Sequence, residues 1–218
     1  MRYRLGLVLL LALPAAQVLA NDALLDEALA RTAQPRSAIS GMIITTNTLT
    51  GGSEPEVERE SIDLKAKPDE ALASYEQLKD VIGADARRVG VEAGRTRYRF
   101  RTYRIPSGTN TPKGVKIDTN GEIEFDGMAD VVRDSEGHPY VSHLQLRMRR
   151  ATGPLIGRVK AMELGYGFAP SIQGDGMVST DVSADVNVRV FYFVHRRFML
   201  ESRLVASDAP IPGTRPVE

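Results

Sequence analysis

The sequence predicts an α+β domain: a strongly curved antiparallel β-meander, or half-barrel, of about seven strands with two or three short helices on its concave face. Three observations carry this expectation. From Arg95 onward apolar and polar residues alternate with a period of two, stretch after stretch. Helical spacing occurs only earlier in the chain. Short turn signals, above all Asn120-Gly121, join the successive alternating runs.

Asn21 or Asp22 is placed to cap a helix over Ala23 to Arg31, with Leu24, Leu25 and Leu29 at helical spacing. Ala38 to Leu49 reads as a strand, and Gly51-Gly52-Ser53 with Pro55 as a turn or loose loop. Pro68-Asp69-Glu70 then opens a second helix, because proline and acids suit a first turn. Leu72, Tyr75, Leu78, Val81 and Ile82 form its stripe, and Gly83 ends it.

In the next strand Tyr98, Phe100 and Thr102 oppose Arg97, Arg99 and Arg101. A loop over Pro106 to Lys113 and the Asn120-Gly121 hairpin follow. Ile123, Phe125, Ala129 and Val131 then share a face against Glu122, Glu124, Asp126 and Asp130. After a turn at Asp134 to Gly137, Leu144, Leu146 and Met148 oppose His143, Gln145, Arg147 and Arg149. Ile156 to Phe168 is another strand. The cleanest alternation sets Val182, Ala184, Val186, Val188 and Val190 against Asp181, Ser183, Asp185, Asn187 and Arg189. Phe191 to Val194 is an apolar block, and Phe198, Leu200 and Leu204 belong to a last strand.

Of 218 residues, 28 are basic and 28 acidic, and none is cysteine or tryptophan. That excludes disulfides, thiolate metal sites and a cysteine nucleophile. Zero net charge argues against a nucleic-acid binder that works by neutralising phosphates. Arg2 and Arg4, the uncharged run Leu5 to Leu13, Pro14 and then Val18-Leu19-Ala20 form an export-signal pattern, with cleavage expected after Ala20. The apolar run is too short to anchor in a bilayer. The organisation expected is therefore a cleaved signal over 1–20, one domain over 21–205 and a flexible tail over 206–218. The mature chain would carry 26 basic and 28 acidic residues and reside, not membrane-spanning, in a periplasm.

Candidate sites follow from the faces. Asp118-Thr119-Asn120-Gly121-Glu122 carries alternate oxygen ligands, but its glycine is misplaced for a calcium loop and a hairpin turn explains it. Arg97, Arg99 and Arg101, with Arg147 and Arg149, form a basic stripe. It suits an anionic partner such as a phospholipid head group, or cross-strand pairing with Glu122, Glu124, Asp126 and Asp130. In chain order the acidic strand falls between the two basic ones, which favours pairing. His138, His143 and His195 lack zinc spacing. No nucleophile elbow or phosphate-cradling loop occurs, so neither a metal nor a cofactor is expected.

The apolar face is more informative. A curled sheet must cover that face, and where helices do not fill the hollow it becomes a pocket. Its lining would be Phe100, Ile123, Phe125, Leu144, Leu146, Met148, Val186, Val188, Val190 and Phe198. The alternative is a filled core; periodicity does not separate the two.

Phe125-Asp126-Gly127 followed by Ala129-Asp130-Val131, the Asp134-to-Pro139 turn, Gly167-Phe168-Ala169-Pro170 and the Phe191-to-Glu201 block resemble a pattern in exported bacterial proteins. More distantly, they are similar to the LolA-like outer-membrane lipoprotein carriers. The resemblance covers about Arg97 to Arg203, leaves Gly51 to Gly94 unmatched, and carries over no site residue. It implies an incomplete barrel covered by helices and sheltering acyl chains. The functional expectation is non-covalent binding of a hydrophobic or lipid-like ligand in the envelope. A sheet-based module recruiting an envelope protein and a hydrolase with a dispersed site are the alternatives.

Overall fold

The computed structural model describes residues 22–106, 123–153, 157–172, 174–191 and 193–206. The signal pattern, the Asn120-Gly121 hairpin, the Asp118-to-Glu122 segment, most of the Pro106-to-Lys113 loop and the tail beyond Ala206 lie outside these residues. Among them, no helix is long and apolar enough to cross a membrane.

One antiparallel sheet of nine strands organises the protein: β1 (Met42–Thr50), β2 (Glu56–Asp63), β3 (Arg87–Glu92), β4 (Arg95–Thr102), β5 (Phe125–Arg133), β6 (Pro139–Met148), β7 (Gly157–Pro170), β8 (Met177–Val190) and β9 (Val194–Val205). Their spatial order is β2-β1-β9-β8-β7-β6-β5-β4-β3, so the sheet is open, with β2 and β3 at its edges. The helices are α1 (Ala23–Leu29) and α2 (Leu78–Ile82). The α+β class and the meander from β4 to β9 agree with expectation.

The expected number of strands, about seven, is too low. The two additional strands are β2 and β3, and both are edge strands. Glu-Val-Glu-Arg-Glu-Ser-Ile-Asp in β2 is almost wholly exposed, and every residue of β3 is exposed. An edge strand with neither face buried has no reason to alternate, and the dense charges of β2 discourage pairing with other chains at that edge. Strand propensity and periodicity are therefore silent where the strand is real.

The expected long helix over Pro68 to Ile82 is also corrected. In its place stand two 3-10 turns, Pro68–Glu70 and Tyr75–Gln77, an extended stretch between them, and the short α2. The chain leaves β2 at one edge and must begin β3 at the other, eight interstrand steps away, or about 38 Å at about 4.8 Å per step. An apolar residue every third or fourth position fits 3-10 turns as well as an α-helix, and the extended stretch between the two turns buries Ala71, Leu72 and Ala73 in succession. The stripe Leu72, Tyr75, Leu78, Val81 and Ile82 is nevertheless buried throughout, as is Leu64 at its start.

α1 begins where capping predicts: the Asp22 side chain accepts from the Leu24 amide at 3.1 Å. β1 starts at Met42, four residues later than expected, because Arg36–Ala38 is a 3-10 turn. The core lies between this crossing segment with α1 and one face of the sheet. Tyr98, Phe125, Leu144, Leu146, Met162, Leu164, Tyr166 and Val186 line that face. Gly127 sits there beneath the Phe100 ring, whose carbons lie 2.3 Å from where a Cβ would stand. Only glycine admits the ring, which takes the place of the missing side chain.

Tyr75 joins the layers. Its buried hydroxyl donates to the Ala28 carbonyl of α1 at 2.9 Å and accepts from the Val141 amide of β6 at 2.8 Å. The ring meets Phe168 edge to face, centroids 5.4 Å apart. Burial pushes the phenol up to about 12, so the hydroxyl keeps its proton across the ordinary pH range. Tyr98 is equally buried, and burial first, then the Asp22 carboxylate, raises its pKa; its hydroxyl has no partner within hydrogen-bond geometry.

Arg31, just beyond α1, donates to Asp134 Oδ2 at 2.8 Å and so fastens the helix to the β5–β6 turn. Asp134 Oδ1 also accepts from the amides of Glu136 and His138. The Arg31 hydrogen bond, aided by these amides against some desolvation, holds the Asp134 carboxyl below its usual value.

Two outcomes follow. Tyr75→Phe strands the Ala28 carbonyl and the Val141 amide without a partner, and urea unfolding should show a loss of about 1–3 kcal/mol at unchanged m-value. Asp134→Asn should lower the melting temperature near neutral pH. A carboxyl whose folded pKa is depressed stabilises above its unfolded pKa of about 3.9 and loses that contribution as pH falls through the folded value. The gap between wild type and Asp134→Asn, followed by thermal melts, should therefore close below about pH 4.

Candidate functional site: an ion-paired face and an apolar groove

The face opposite the helices is a ladder of charges set by register. Arg97 pairs with Asp130, Arg101 with Asp126, and Asp126 with Arg147 across β4, β5 and β6. Asp130 is the anchor: its side chain is only 7% exposed, Oδ1 accepts from Arg97 Nε at 2.8 Å, and Oδ2 meets Arg95 Nη1 at 3.3 Å. Arg149 reaches Glu124 at 2.7 Å and Asp126 at 3.4 Å. Arg147 meets Glu163 of β7 at 3.2 Å. Arg197 of β9 grips Asp185 of β8 with two nitrogens, the shorter contact 2.6 Å. These carboxylates hold Arg97, Arg149 and Arg197 charged, their pKa values raised chiefly by the hydrogen bonds to Asp130, Glu124 and Asp185.

Of the basic residues named from sequence, Arg97, Arg101, Arg147 and Arg149 thus stand in ion pairs. Among the described residues Arg99 has no acidic partner, since register sets it between Met128 and Arg87.

On the same face Gly165 of β7 opens a trough of about 270 Å³ lined by His143, Gln145, Glu163, Ser183, Asp185 and Arg197 among others. Ser183 Oγ lies 2.6 Å from where a Cβ on Gly165 would stand, and His143 stands on the other side. Serine, histidine and aspartate are therefore neighbours, as a dispersed hydrolase site requires. No hydrogen bond joins Ser183 to His143, however, and the Asp181 carboxylate is engaged by Thr180 at 2.7 Å. A nucleophile and base need that first bond. Among the described residues, no group of three or more His, Cys, Asp or Glu side chains is arranged to hold a metal ion.

The helix-covered face divides the residues expected to line a pocket. Phe100, Phe125, Leu144, Leu146, Met148 and Val186 are buried in the core. Ile123, Val188, Val190 and Phe198 are only partly buried. The division follows from the cover. The helical segments pack on β4, β5, β6 and β8, over the strand ends next to the β5–β6 turn. At the opposite strand ends the cover reaches β4, where Arg104 approaches Asp80 at 3.7 Å.

Beneath the cover a cavity of about 20 Å³ between Leu64, Leu72, Tyr75, Met177 and Leu204 has room for about one water molecule. Toward the opposite ends of β1 and β9 there is more space. A groove of about 210 Å³ runs between Asn47, Leu49, Glu56, Glu58 and Phe198. Leu49 and Phe198 are its apolar wall, directly paired across the strands. Asn47 Oδ1, also there, is buried without a hydrogen-bond partner. The sequence marks Ala38 to Leu49 as a strand but does not say which of its faces is buried, so Asn47 and Leu49 do not stand out, and it marks no element over Glu56 and Glu58.

No protein-family model matches the chain, and no match is found among curated proteins or among solved structures.

The ladder makes an ordered expectation. Asp130→Asn should destabilise the protein more than Asp126→Asn. The first removes the charge that neutralises both Arg95 and Arg97 in a nearly buried position, whereas Asp126 is half exposed and its pairs are long. Parallel denaturant titrations of the two variants measure the difference.

Proposed function

We propose that the protein binds a hydrophobic or lipid-like ligand in an extracytoplasmic compartment, non-covalently and without a cofactor, on the part of the helix-facing surface outside the helical cover. In this reading the sheet curls into a half-barrel and the groove at Leu49 and Phe198 receives the apolar chain. The observation that carries the proposal is the division of the apolar face: one part closed by the crossing segment, the other keeping Phe198, Val188, Val190 and Ile123 partly exposed, with Phe198 lining a groove of about 210 Å³. Such a volume is below the usual range for drug-sized ligands, about 300–1,000 Å³. It suits a length of acyl chain. Five buried methylenes would contribute about 4 kcal/mol, or about millimolar affinity alone. A second element, a polar head group near Asn47 or a membrane nearby, would have to add the rest.

A second reading has one specific observation in its favour. The free edge strand β3 exposes Val89 and Val91, each more than half accessible, with a bulge between Arg88 and Gly90. An extended peptide could add there as a tenth strand.

Native mass spectrometry with added dodecanoate separates the two. The ligand reading expects a one-to-one adduct that is lost in Phe198→Asp and kept in Gln145→Ala on the opposite face. No adduct at millimolar dodecanoate, or equal adducts in both variants, would reject the groove.

A further inference from the structure

At the strand ends away from the β5–β6 turn, β8 and β9 are joined by a turn whose described residues are Phe191 and Phe193, the Phe193 amide donating to the Phe191 carbonyl at 2.8 Å, with Val190 and Val194 paired at its base. Phe191 is 63% exposed and Phe193 80%. Phe191 also has φ +47°, in the left-handed region that glycine or asparagine normally fills and a bulky side chain avoids. The turn thus holds a strained backbone while presenting two aromatic rings to solvent. Neither feature serves the core.

Behind the tip lies a cationic row on the opposite face from the helices. Register sets Arg158 of β7 opposite Arg189 of β8, and Arg189 opposite His195 of β9. Like charges directly opposed across strands destabilise a sheet. The Nε atoms of both Arg158 and Arg189 are buried without a hydrogen-bond partner; Arg158 spends one Nη2 hydrogen on the Ala151 carbonyl at 3.3 Å. No aspartate or glutamate occurs in residues 150–162 or 186–200, although the rest of the ladder supplies an acid for nearly every arginine. Two guanidinium groups with no carboxylate counter-ion among the described residues call for an external one, and their planar forks match phosphate oxygens.

We propose that this hairpin tip docks on an anionic lipid surface, with Phe191 and Phe193 entering the boundary between head groups and acyl chains and Arg158 and Arg189 taking lipid phosphates. A bilayer fits better than a protein partner. The rings stand on an isolated tip with cations behind them, whereas a protein hot spot sits inside a broader apolar patch with a rim. Aromatic residues settle at the bilayer interface, and each nearby basic residue adds attraction to anionic leaflets. The docking is reversible, because two rings and two cations anchor far less than a spanning helix. It does not depend on the groove at Leu49 and Phe198 being a ligand site.

Flotation of the whole protein with phosphatidylcholine vesicles, with and without phosphatidylglycerol, tests the proposal. Wild type should float with the anionic vesicles and weaken as salt is raised. Phe191→Ser with Phe193→Ser, and separately Arg158→Gln with Arg189→Gln, should each reduce partitioning by about ten-fold or more. Phe191→Gly keeps the test independent of folding defects: relief of the positive φ should raise the melting temperature while lipid binding falls. Binding that is equal for both vesicle types, or unchanged in the variants, would overturn the proposal. So would saturable binding of inorganic phosphate by a protein that ignores vesicles, which would make the row a site for a free anion. Pull-down of a specific protein by the aromatic tip, without vesicle binding, would overturn it in favour of a protein partner.

Discussion

The chain leaves β2 at one edge of the sheet and resumes as β3 at the other, and what lies above the sheet follows from that journey. Because β9 inserts beside β1, the N-terminal hairpin is fixed to one side of the meander and the rest of the chain must start from the far side. The connecting segment therefore crosses the apolar face, and its own apolar residues become the cover. Leu64 enters at the β1 side, Tyr75 rivets the middle to Ala28 and Val141, and α2 lands on β4. A lone crossing segment with one short helix beside it is too narrow to close the whole face. The exposed groove is the geometrical remainder.

The same economy shapes the opposite face. Among the described residues nothing covers it, and its side chains satisfy one another. Arginines of β4 and β6 flank the carboxylates of β5, and the pairing continues through Glu163 and Asp185 to Arg197. Exposed pairs of this kind add little individually. Their joint effect is on register, because a one-residue slip would send every charge to the apolar side. Asp130, nearly buried between two arginines, contributes most to that selectivity.

Sequence patterns gave the class and the six strands of the meander because each has one buried and one exposed face, which writes a period of two into the chain. They gave α1 through Asp22, and the buried stripe of the crossing segment though not its shape: an apolar residue every third or fourth position fits a helix and also fits a chain of 3-10 turns over a core. β2 and β3 were illegible because nothing is buried on either side of them. The ion ladder was readable in outline, since strand order and charge alternation together place acids between bases. The division between core and groove was not, because Val186 and Val188 are alike in composition and differ only in what lies above them. Arg158 was hidden in an irregular part of β7, where the pairing shifts between Val159 and Ala161; the missing acids around it were the one signal available.

The pairing of β1 with β9 joins Met42 to Val205, nearly the full described length of the chain. Loop closure on that scale is slow, and such sheets form late relative to local hairpins. A chain made from its N-terminus exposes β1 long before its partner exists, while β4 to β8 can zip neighbour to neighbour as they emerge. The edge that β1 will occupy on β9 stays open until the end, and so does the apolar surface that the crossing segment will cover. The last strand is thus the keystone of assembly, and the interval before it sets is when this protein is most exposed to capture by other chains.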